Sequence, residues 1–246
     1  MSLPVVVPDW PAPPGVRAVV TTRAGGVSRP PYDRLNLATH VGDDPAAVAA
    51  NRRLLREALA LPTDPLWLEQ VHGVSVCEAD APVERRCADA AYTDRAGAVL
   101  AVLTADCLPV LFASRDGREI GVAHAGWRGL EAGVLEATLD RFSASPAEII
   151  VWLGPAIGPA AFEVGEEVRA AFLAHDARAR EAFAPSVRER RWLADLYRLA
   201  RQRLAARGVT TVHGGGLCTA ADAARFYSYR RDGVTGRMAT LIWVDS

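Results

Sequence analysis

Three apolar runs between residues 98 and 128 most strongly constrain how this chain can fold, because each ends abruptly in turn or reactive residues. They occupy residues 98–103, 108–113 and 120–123. Apolar runs of this length, bounded by turn signals, predict buried strands. Asp106 and Cys107 stand in the first break, and His124 follows the third run. A rigid strand end holds such side chains while leaving them accessible, so the pattern predicts a chemical centre here.

The composition limits the size class, the partners and the chemistry of the chain. It has 246 residues, half of them apolar, which suits one large domain or two small ones. The net charge of −1 predicts neither a nucleic-acid partner nor an anionic membrane surface. All 28 basic residues are arginine. A catalytic lysine is therefore excluded, and a phosphate must be held by arginine, backbone N–H groups or a metal.

The N-terminal segment and the cysteines indicate a cellular compartment. Residues 1–15 are rich in proline and are expected to run extended over the surface. They lack the basic start of a signal peptide, and no apolar stretch of the chain is long enough to span a bilayer. The spacing of the four cysteines matches neither a zinc motif of paired cysteines nor a small disulfide scaffold. We therefore expect free thiols and a cytoplasmic protein.

The other segments mix helices and strands without strict alternation. Asp44 followed by Pro45 predicts a helix start, and this helix is expected to run to about Leu61. Further helices are predicted at 129–142, 163–174, 176–184 and 194–207, and further strands at 16–22, 66–71, 74–78, 148–153, 210–213 and 237–244. The strands at 66–71 and 74–78 are expected to pair across a tight turn. The pattern predicts one α/β domain, residues 1–246, of layered mixed sheets flanked by helices.

Cys107 and His124 have a third candidate partner in His72, which also follows a short apolar run. One cysteine and two histidines suit a metal such as zinc and leave a fourth position for water or substrate. The same residues fit a second interpretation, in which Cys107 is a nucleophile activated by His124 and oriented by Asp106 or another polar group. A third interpretation is a buried cysteine beside hydrogen-bonded histidines. The residues alone leave all three open.

Several arginines lie in loops next to glycine or aromatic residues. Arg23, Arg128, Arg230 and Arg231 are candidates for a shared phosphate site, and the alternative for each is a surface ion pair. His40 follows a long loop of a kind that is often functional, which makes it a candidate pocket residue. The alternating aromatic and basic residues at 226–231 fit either a surface that stacks a base or a half-buried strand.

Seven stretches, spread over nearly the whole chain, match a known family in order and interval. They are TTRAGGVSRPPYDRLNLATHVGDDPAAVAANR at 21–52, LEQVHG at 68–73, ADAAYTD at 88–94, TADCLPVLF at 104–112, VAHAGWRGL at 122–130, LGPAIGPAAFEVG at 153–165 and FYSYRRDGVTGRMATLIW at 226–243. On these residues the chain resembles the YfiH-type proteins, also called the laccase-domain or multicopper polyphenol oxidase family. A match of this extent is far more specific than any single motif.

The resemblance implies a particular metal site and fold. The zinc ligands of the family are the histidine of QVHG, the cysteine of TADC and the histidine of AHAGWRG, which fall on His72, Cys107 and His124. The family fold is a compact α/β domain of layered mixed sheets flanked by helices, usually monomeric. Copper is the less suitable metal, because a multicopper oxidase needs many more histidines than the five in this chain.

The resemblance also implies an activity on small molecules. Proteins of this type are zinc-dependent purine nucleoside phosphorylases that act on adenosine, inosine, guanosine and methylthioadenosine, with adenosine deaminase activity. Arg128 and Arg230 are then the first candidates for holding phosphate, Asn36 for a ribose or base contact, and His40 for the pocket. Some relatives are linked to peptidoglycan quality control, which would suit a cysteine- or metal-dependent amidase, and polyphenol oxidation is a further alternative.

Overall fold

The computed structural model describes residues 3–80, 82 and 86–245. The strands formed by these residues are, in chain order, β1 (Val5–Val6), β2 (Val16–Thr21), β3 (Val76–Glu78), β4 (Ala90–Thr93), β5 (Leu100–Thr104), β6 (Leu108–Ser114), β7 (Ile120–Ala125), β8 (Ile149–Leu153), β9 (Glu163–Gly165), β10 (Phe183–Pro185), β11 (Arg191–Ala194), β12 (Thr211–Gly214) and β13 (Met238–Val244). The α-helices are α1 (Pro45–Leu59), α2 (Trp127–Ala132), α3 (Val134–Leu139), α4 (Glu166–His175), α5 (Leu196–Ala206) and α6 (Tyr229–Asp232). Short 3₁₀ helices occupy Pro146–Glu148 and Ala177–Ala182.

The three central apolar runs divide between two sheets. β6 and β7 are antiparallel neighbours in a six-stranded sheet of order β12-β8-β6-β7-β4-β3, whereas β5 lies in a four-stranded sheet of order β1-β2-β13-β5. Every residue of β5, β6 and β7 is buried, as the continuous apolar runs predict. Leu111 and Val122 from one sheet share a core with Leu100 and Ile242 from the other. The short connection 105–107 therefore crosses from one sheet to the other.

Helices cover the outer faces of both sheets. α1 packs on the four-stranded sheet, where Leu55 lies in one core cluster with Val19 and Trp243. Helices α2 to α5 pack on the six-stranded sheet, where Leu135 and Leu199 share a cluster with Val151. A third sheet of order β10-β11-β9 contacts α4. The predicted class, an α/β fold of layered mixed sheets flanked by helices, is confirmed.

The hairpin predicted at 66–71 and 74–78 is wrong. Leu66 makes a single parallel bridge to Leu100, and β3 pairs in parallel with β4. Between them the backbone of His72 has a φ of 61°, and its N–H and that of Gly73 point at the carboxylate of Asp89. These hydrogen bonds to a distant side chain take the place of the pairing that the local pattern predicted.

Three of the predicted helices differ from those observed. The helix predicted at 129–142 is split into α2 and α3 by Gly133, whose φ of 106° does not fit a helix. The segment 163–174 opens with β9, and 176–184 forms a 3₁₀ helix that leads into β10. β9 and β10 both pair with β11, so each strand is formed by contacts with distant segments. The segment 226–231 runs into α6, not into a strand.

The start of α1 is confirmed in detail. Asp44 caps it by accepting a hydrogen bond from the N–H of Ala46, and Pro45 takes the first helical position. Within the proline-rich segment 1–15, β1 pairs antiparallel with β2 and so joins the edge of a sheet. None of the helices in the described part of the chain combines the length and apolar character that crossing a membrane requires.

Candidate metal centre

His72, Cys107 and His124 meet at one point of the fold. Their possible ligand atoms, a ring nitrogen of each histidine and the cysteine Sγ, all lie within 4.8 Å of one another. Cys107 ends the crossover between the two sheets, and His124 lies on β7, opposite Pro109 of β6. His72 comes from the loop before β3, and its Nε2 lies 3.8 Å from Sγ of Cys107. The fold thus joins three residues that are far apart in sequence.

The buried carboxylate of Asp89 holds two of these three residues. Its Oδ1 accepts a hydrogen bond from the backbone N–H of His72 at 2.9 Å and lies 2.8 Å from Nδ1 of His124. Its Oδ2 accepts from the backbone N–H of Gly73 at 2.6 Å. Since Nδ1 of His124 is engaged, Nε2 is the ring nitrogen left for a metal. Carboxylates in this position fix the tautomer and the orientation of metal-binding histidines.

A second buried carboxylate, that of Asp106, fixes the crossover that carries Cys107. The φ of Asp106 is 91°, a conformation that a residue with a Cβ keeps only when its surroundings enforce it. The carboxylate accepts hydrogen bonds from the hydroxyls of Thr219 (2.6 Å) and Ser228 (3.0 Å) and from the backbone N–H of Arg230 (2.7 Å). Asp106 therefore ties the crossover to the C-terminal segment, and it is Asp89, not Asp106, that orients His124.

The electrostatics of the centre favour a thiolate. Burial alone would raise the pKa of the Cys107 thiol, but His124 and His72 lower it to about 6. Burial alone would lower the pKa of His124, but Cys107 and Asp89 raise it to about 9. Burial would also raise the pKa of Asp89, and hydrogen bonds from His124 and from the backbone of Gly73 hold it below its usual value. A thiolate is the form in which cysteine binds metals and acts as a nucleophile.

The three residues line a cavity of about 370 Å³. The rest of its wall is formed by His40, Gln70, Leu103, Thr104, Ala105, Tyr229 and Arg237. The side-chain amide of Gln70 donates to the C=O of Leu103 at 2.9 Å and accepts from its N–H at 2.8 Å. These two bonds attach the loop of His72 to the edge of β5, so the cavity wall is held from both sheets.

A family model described as multi-copper polyphenol oxidoreductase laccase matches residues 17–245. The chain belongs to this laccase-domain family. A curated relative named purine nucleoside phosphorylase, from Pseudomonas aeruginosa, is 59% identical over 97% of this chain and 98% of its own length. The purine nucleoside phosphorylase YfiH of Escherichia coli is 55% identical over 98% of each chain. The predicted resemblance is therefore confirmed over the full length.

Solved structures of laccase-domain relatives have the same fold. The crystal structure of a Neisseria meningitidis protein matches with a TM-score of 0.94 at 46% identity and covers 98% of this chain and 99% of that one. The crystal structure of the Bacillus licheniformis hypothetical protein YfiH matches with a TM-score of 0.86 at 31% identity, over 94% and 93% of the two chains. The layered sheets that bring the three residues together are thus a property of the family.

The donor set of this laccase-domain chain suits a single metal ion. Two imidazoles and a thiolate are donors that both zinc and copper accept. The 3.8 Å between Nε2 of His72 and Sγ of Cys107 is near the separation of about 3.5 Å that two such ligands show on one tetrahedral zinc. Across the residues that the structure describes, these three form the one group of at least three side chains arranged to hold a metal.

Of the predicted pocket residues, His40 lines the cavity and Asn36 does not. Asn36 is fully buried, and its Nδ2 donates to the C=O of Ala38 and to the carboxylate of Asp43. Its Oδ1 accepts from the backbone N–H of Ala38 and from that of Arg237 at 3.0 Å. Since both polar atoms are occupied, Asn36 reaches the cavity only through Arg237, whose backbone it holds.

The two arginines predicted to hold phosphate lie away from the cavity wall. Arg128 is exposed, and its guanidinium lies 4.4 Å from the ring centre of Trp127. Arg230 donates from Nη1 to the C=O of Glu163 at 2.9 Å. The structure thus brings together the three candidate metal ligands and His40, and it leaves Arg128 and Arg230 outside that group.

Sequence reasoning missed two residues of the site, Asp89 and Arg237. Asp89 falls between the predicted strands at 74–78 and 98–103, where no element is predicted, and its one local signal is an acidic residue directly before the apolar residues of β4. Arg237 directly precedes β13 and was counted as part of the last strand. No local pattern separates either residue from an ordinary surface charge. What distinguishes them is their position in the fold, next to the candidate metal ligands for Asp89 and in the cavity wall for Arg237.

Proposed function

We propose that this chain is a zinc-dependent purine nucleoside phosphorylase, which converts a purine nucleoside and inorganic phosphate to the free base and ribose 1-phosphate. The observation that carries the proposal is the convergence of His72, Cys107 and His124 on one cavity, in a chain whose full-length relatives are named purine nucleoside phosphorylases. Adenosine deamination in the same cavity is part of the proposal. The substrates are small molecules, and neither a nucleic acid nor a membrane takes part.

The choice of zinc over copper rests on the surroundings of the donor set. A His₂Cys set also occurs in blue-copper sites, where a weak axial ligand, usually methionine, completes it. Met238 is buried, and its sulfur accepts a hydrogen bond from the backbone N–H of Tyr227 at 3.1 Å. That sulfur belongs to the core between the sheets and not to the cavity. Zinc needs no such axial ligand and so suits the three donors better.

Different residues of the chain would hold the metal, orient its ligands and bind phosphate. His72, Cys107 and His124 would hold the metal, which when bound supplies a Lewis acid and lowers the pKa of a coordinated water. Asp89 engages Nδ1 of His124, which leaves its Nε2 free for a metal, and it fixes the backbone that carries His72. Arg237 places a guanidinium in the cavity wall, where a positive charge favours the binding of anionic phosphate.

A second candidate function, a cysteine amidase, is favoured by one specific arrangement. Cys107, His124 and Asp89 stand in the order of nucleophile, base and orienting carboxylate, with the His124–Asp89 distance at 2.8 Å. An amidase of this kind would work without metal and would lose activity on alkylation of Cys107. Hydrolysis of a peptidoglycan precursor amide by metal-free protein would support this function over the phosphorylase.

The deciding experiment assays the zinc-loaded protein with adenosine, with and without inorganic phosphate. Adenine and ribose 1-phosphate that form only with phosphate are expected from phosphorolysis, and inosine formed without phosphate is expected from deamination. Losing a group that orients a metal ligand lowers metal affinity or activity about 10–100-fold. Cys107→Ser removes a candidate ligand itself, so it is expected to lower both zinc affinity and turnover by at least as much. The exposed Cys87 offers the matched control Cys87→Ser, which should keep both metal and turnover. Full turnover in Cys107→Ser would contradict the proposal.

A further inference from the structure

A second cavity of about 590 Å³, the outer cavity, lies beside the metal cavity. His40, Gln70 and Leu103 line both, so the two cavities are neighbours that share part of their walls. Arg237 belongs to the wall of the inner cavity, and Arg52 of α1 belongs to the wall of the outer one. His40 therefore borders both the cavity that contains Arg237 and the cavity that contains Arg52.

Neither of these arginines is paired with a carboxylate from the residues that the structure describes, although ion pairs are common elsewhere on the protein. Arg52 donates from Nε to the C=O of Leu37 at 3.0 Å, and its guanidinium lies 4.1 Å from the ring centre of Trp67. Arg237 donates from Nη1 to the C=O groups of Thr235 and Gly236. Backbone carbonyls and an aromatic ring position a guanidinium without cancelling its charge, so both side chains keep N–H groups for an anion.

The two arginines are held in a fixed relation through a single residue. The backbone N–H of Leu37 donates to the C=O of Arg237, and the C=O of Leu37 accepts from Nε of Arg52. Asn36, the preceding residue, accepts from the backbone N–H of Arg237. Leu37 is itself fully buried. Because this anchor is in the core, the guanidinium groups are pre-organised, and little entropy is lost when they bind a ligand.

We propose that Arg237 and Arg52, with His40, form the binding site for inorganic phosphate beside the metal centre. The proposal rests on the phosphorylase function proposed above, and it replaces Arg128 and Arg230 as the residues that hold this substrate. Phosphate offers several acceptor oxygens and carries one to two negative charges near neutral pH, which match planar guanidinium groups. The position next to the metal ligands places the anion where the departing base and ribose must also lie.

The charges around this site agree with an anion rather than a cation. Burial lowers the pKa of His40, and the positive charges of Arg237 and Arg52 lower it further, so both guanidiniums act on this one imidazole. The outer cavity also contains one carboxylate, Glu69, together with a further arginine, Arg86. Burial lowers the pKa of Arg237, and the charges of Cys107 and Asp106 raise it by less.

The test compares the zinc-loaded wild-type protein with Arg52→Met and Arg237→Met, using inorganic phosphate alone as the probe in calorimetry. Charge-assisted hydrogen bonds are worth about 1.5–3 kcal/mol, so each variant is expected to bind phosphate about 10-fold or more weakly. Zinc content should be unchanged, and Arg52→Lys should restore part of the affinity. The neighbouring Arg53 is exposed and offers the matched control Arg53→Met, which should bind phosphate like the wild type.

The possible outcomes test the phosphate site separately from the phosphorylase function. Wild-type phosphate affinity in both Arg52→Met and Arg237→Met, with an unchanged KM for phosphate in nucleoside turnover, would overturn the phosphate site while leaving the phosphorylase function in place. If phosphate binding falls in both variants but the wild-type protein releases no base from any purine nucleoside, the anion site stands and the phosphorylase function fails.

Discussion

At the scale of single residues, two buried carboxylates account for the arrangement of the candidate metal ligands. Asp89 holds His72 and His124, and Asp106 holds the backbone next to Cys107. Each carboxylate is satisfied by several donors, so its charge is stabilised although it is buried. The ligands are thereby positioned by the protein itself before any metal binds.

Removing the charge of Asp89 is expected to weaken metal binding without unfolding the chain. In Asp89→Asn the amide keeps one acceptor oxygen and turns its NH2 group either towards the N–H of Gly73 or towards the N–H of His72 and Nδ1 of His124. At least one of the three hydrogen bonds is then lost, and the candidate metal ligands are held less firmly. Zinc affinity should fall about 10–100-fold, measured by competition with a chelator. Asp94→Asn, at an exposed position nearby, is the matched control. Wild-type affinity in Asp89→Asn would contradict the role given to this carboxylate.

Gly126 is needed because of the space that the ligands occupy. A Cβ at this position would lie 2.7 Å from Cδ2 of His72 and 3.1 Å from Sγ of Cys107. Gly126→Ala is therefore expected to push both ligands apart and to lower zinc affinity about 10-fold or more, on the scale of other losses of ligand orientation. In Gly216→Ala the added Cβ meets nothing within 4 Å. Equal zinc affinities of these two alanine variants would show that the crowding at Gly126 is relieved at no cost.

At the scale of elements, the crossover from β5 to β6 and the entry into β7 determine where the site forms. β5 and β6 follow each other closely in the chain but lie in different sheets, and Cys107 stands at the point of transfer. The entry into β7 is anchored by Glu119, which is buried and accepts hydrogen bonds from the hydroxyl of Tyr92 and the backbone N–H groups of Ser143 and Ala144. The strand that carries His124 is thus tied to β4 and to the segment after α3.

This anchor predicts a pH-dependent contribution to stability. Burial would raise the pKa of Glu119, but its hydrogen bonds with Tyr92, Ser143 and Ala144 hold it below its usual value. A carboxylate whose pKa is lower in the folded state stabilises the fold above its unfolded pKa of about 4.3, and this contribution is lost as the pH falls through the folded pKa.

The measurement is urea unfolding of wild type and Glu119→Gln at several pH values. The variant is expected to be less stable by about 1–3 kcal/mol at pH 7, and the difference should shrink below about pH 4. Glu57→Gln, at an exposed position on α1, is the control and should unfold like the wild type at every pH tested. A difference that stays constant down to acid pH would mean that the lost contact is not that of the ionised carboxylate.

At the scale of the whole molecule, a metal is expected to stabilise the fold, because its candidate ligands come from a loop, from the crossover between the two sheets and from β7. A ligand that binds only the folded state adds about 4 kcal/mol when it is present at 1,000 times its Kd. For a chain of this size that corresponds to a rise in Tm on the order of 10 °C. In thermal unfolding, the wild-type protein should have a high Tm with zinc and a low Tm with a chelator. The Tm of Cys107→Ser should not change when zinc is added. An unchanged Tm on chelation would argue against a structural link between metal and fold.

The sequence predicted most of the layered architecture, and it singled out the three residues that the fold brings together in the candidate metal centre. The central strands were found because their residues are buried on both faces, which leaves continuous apolar runs. His72, Cys107 and His124 were singled out as residues at the ends of apolar runs, and the family resemblance selected the metal interpretation among three. The monomeric state and the cytoplasmic location stay predictions.

The errors concern features that depend on contacts between distant segments. The expected hairpin at 66–78 gave way to bonds with Asp89, and β9, β10 and β11 exist only through mutual pairing. Arg128 and Arg230 were selected for their neighbours in sequence, whereas the arginines on the walls of the two neighbouring cavities are Arg237, Arg52 and Arg86. Local patterns report backbone preference and burial, and they carry no information on which charges face each other.

From the residues alone, three central strands can be predicted, lysine chemistry can be excluded, and one cysteine and two histidines can be placed where apolar runs end. That these residues meet within 4.8 Å is visible only in the folded chain, because β5 and β6 diverge into different sheets and Cys107 lies where they separate. It also decided that Asp89 and not Asp106 orients His124. Distance and burial decide such roles, and both are properties of the folded chain.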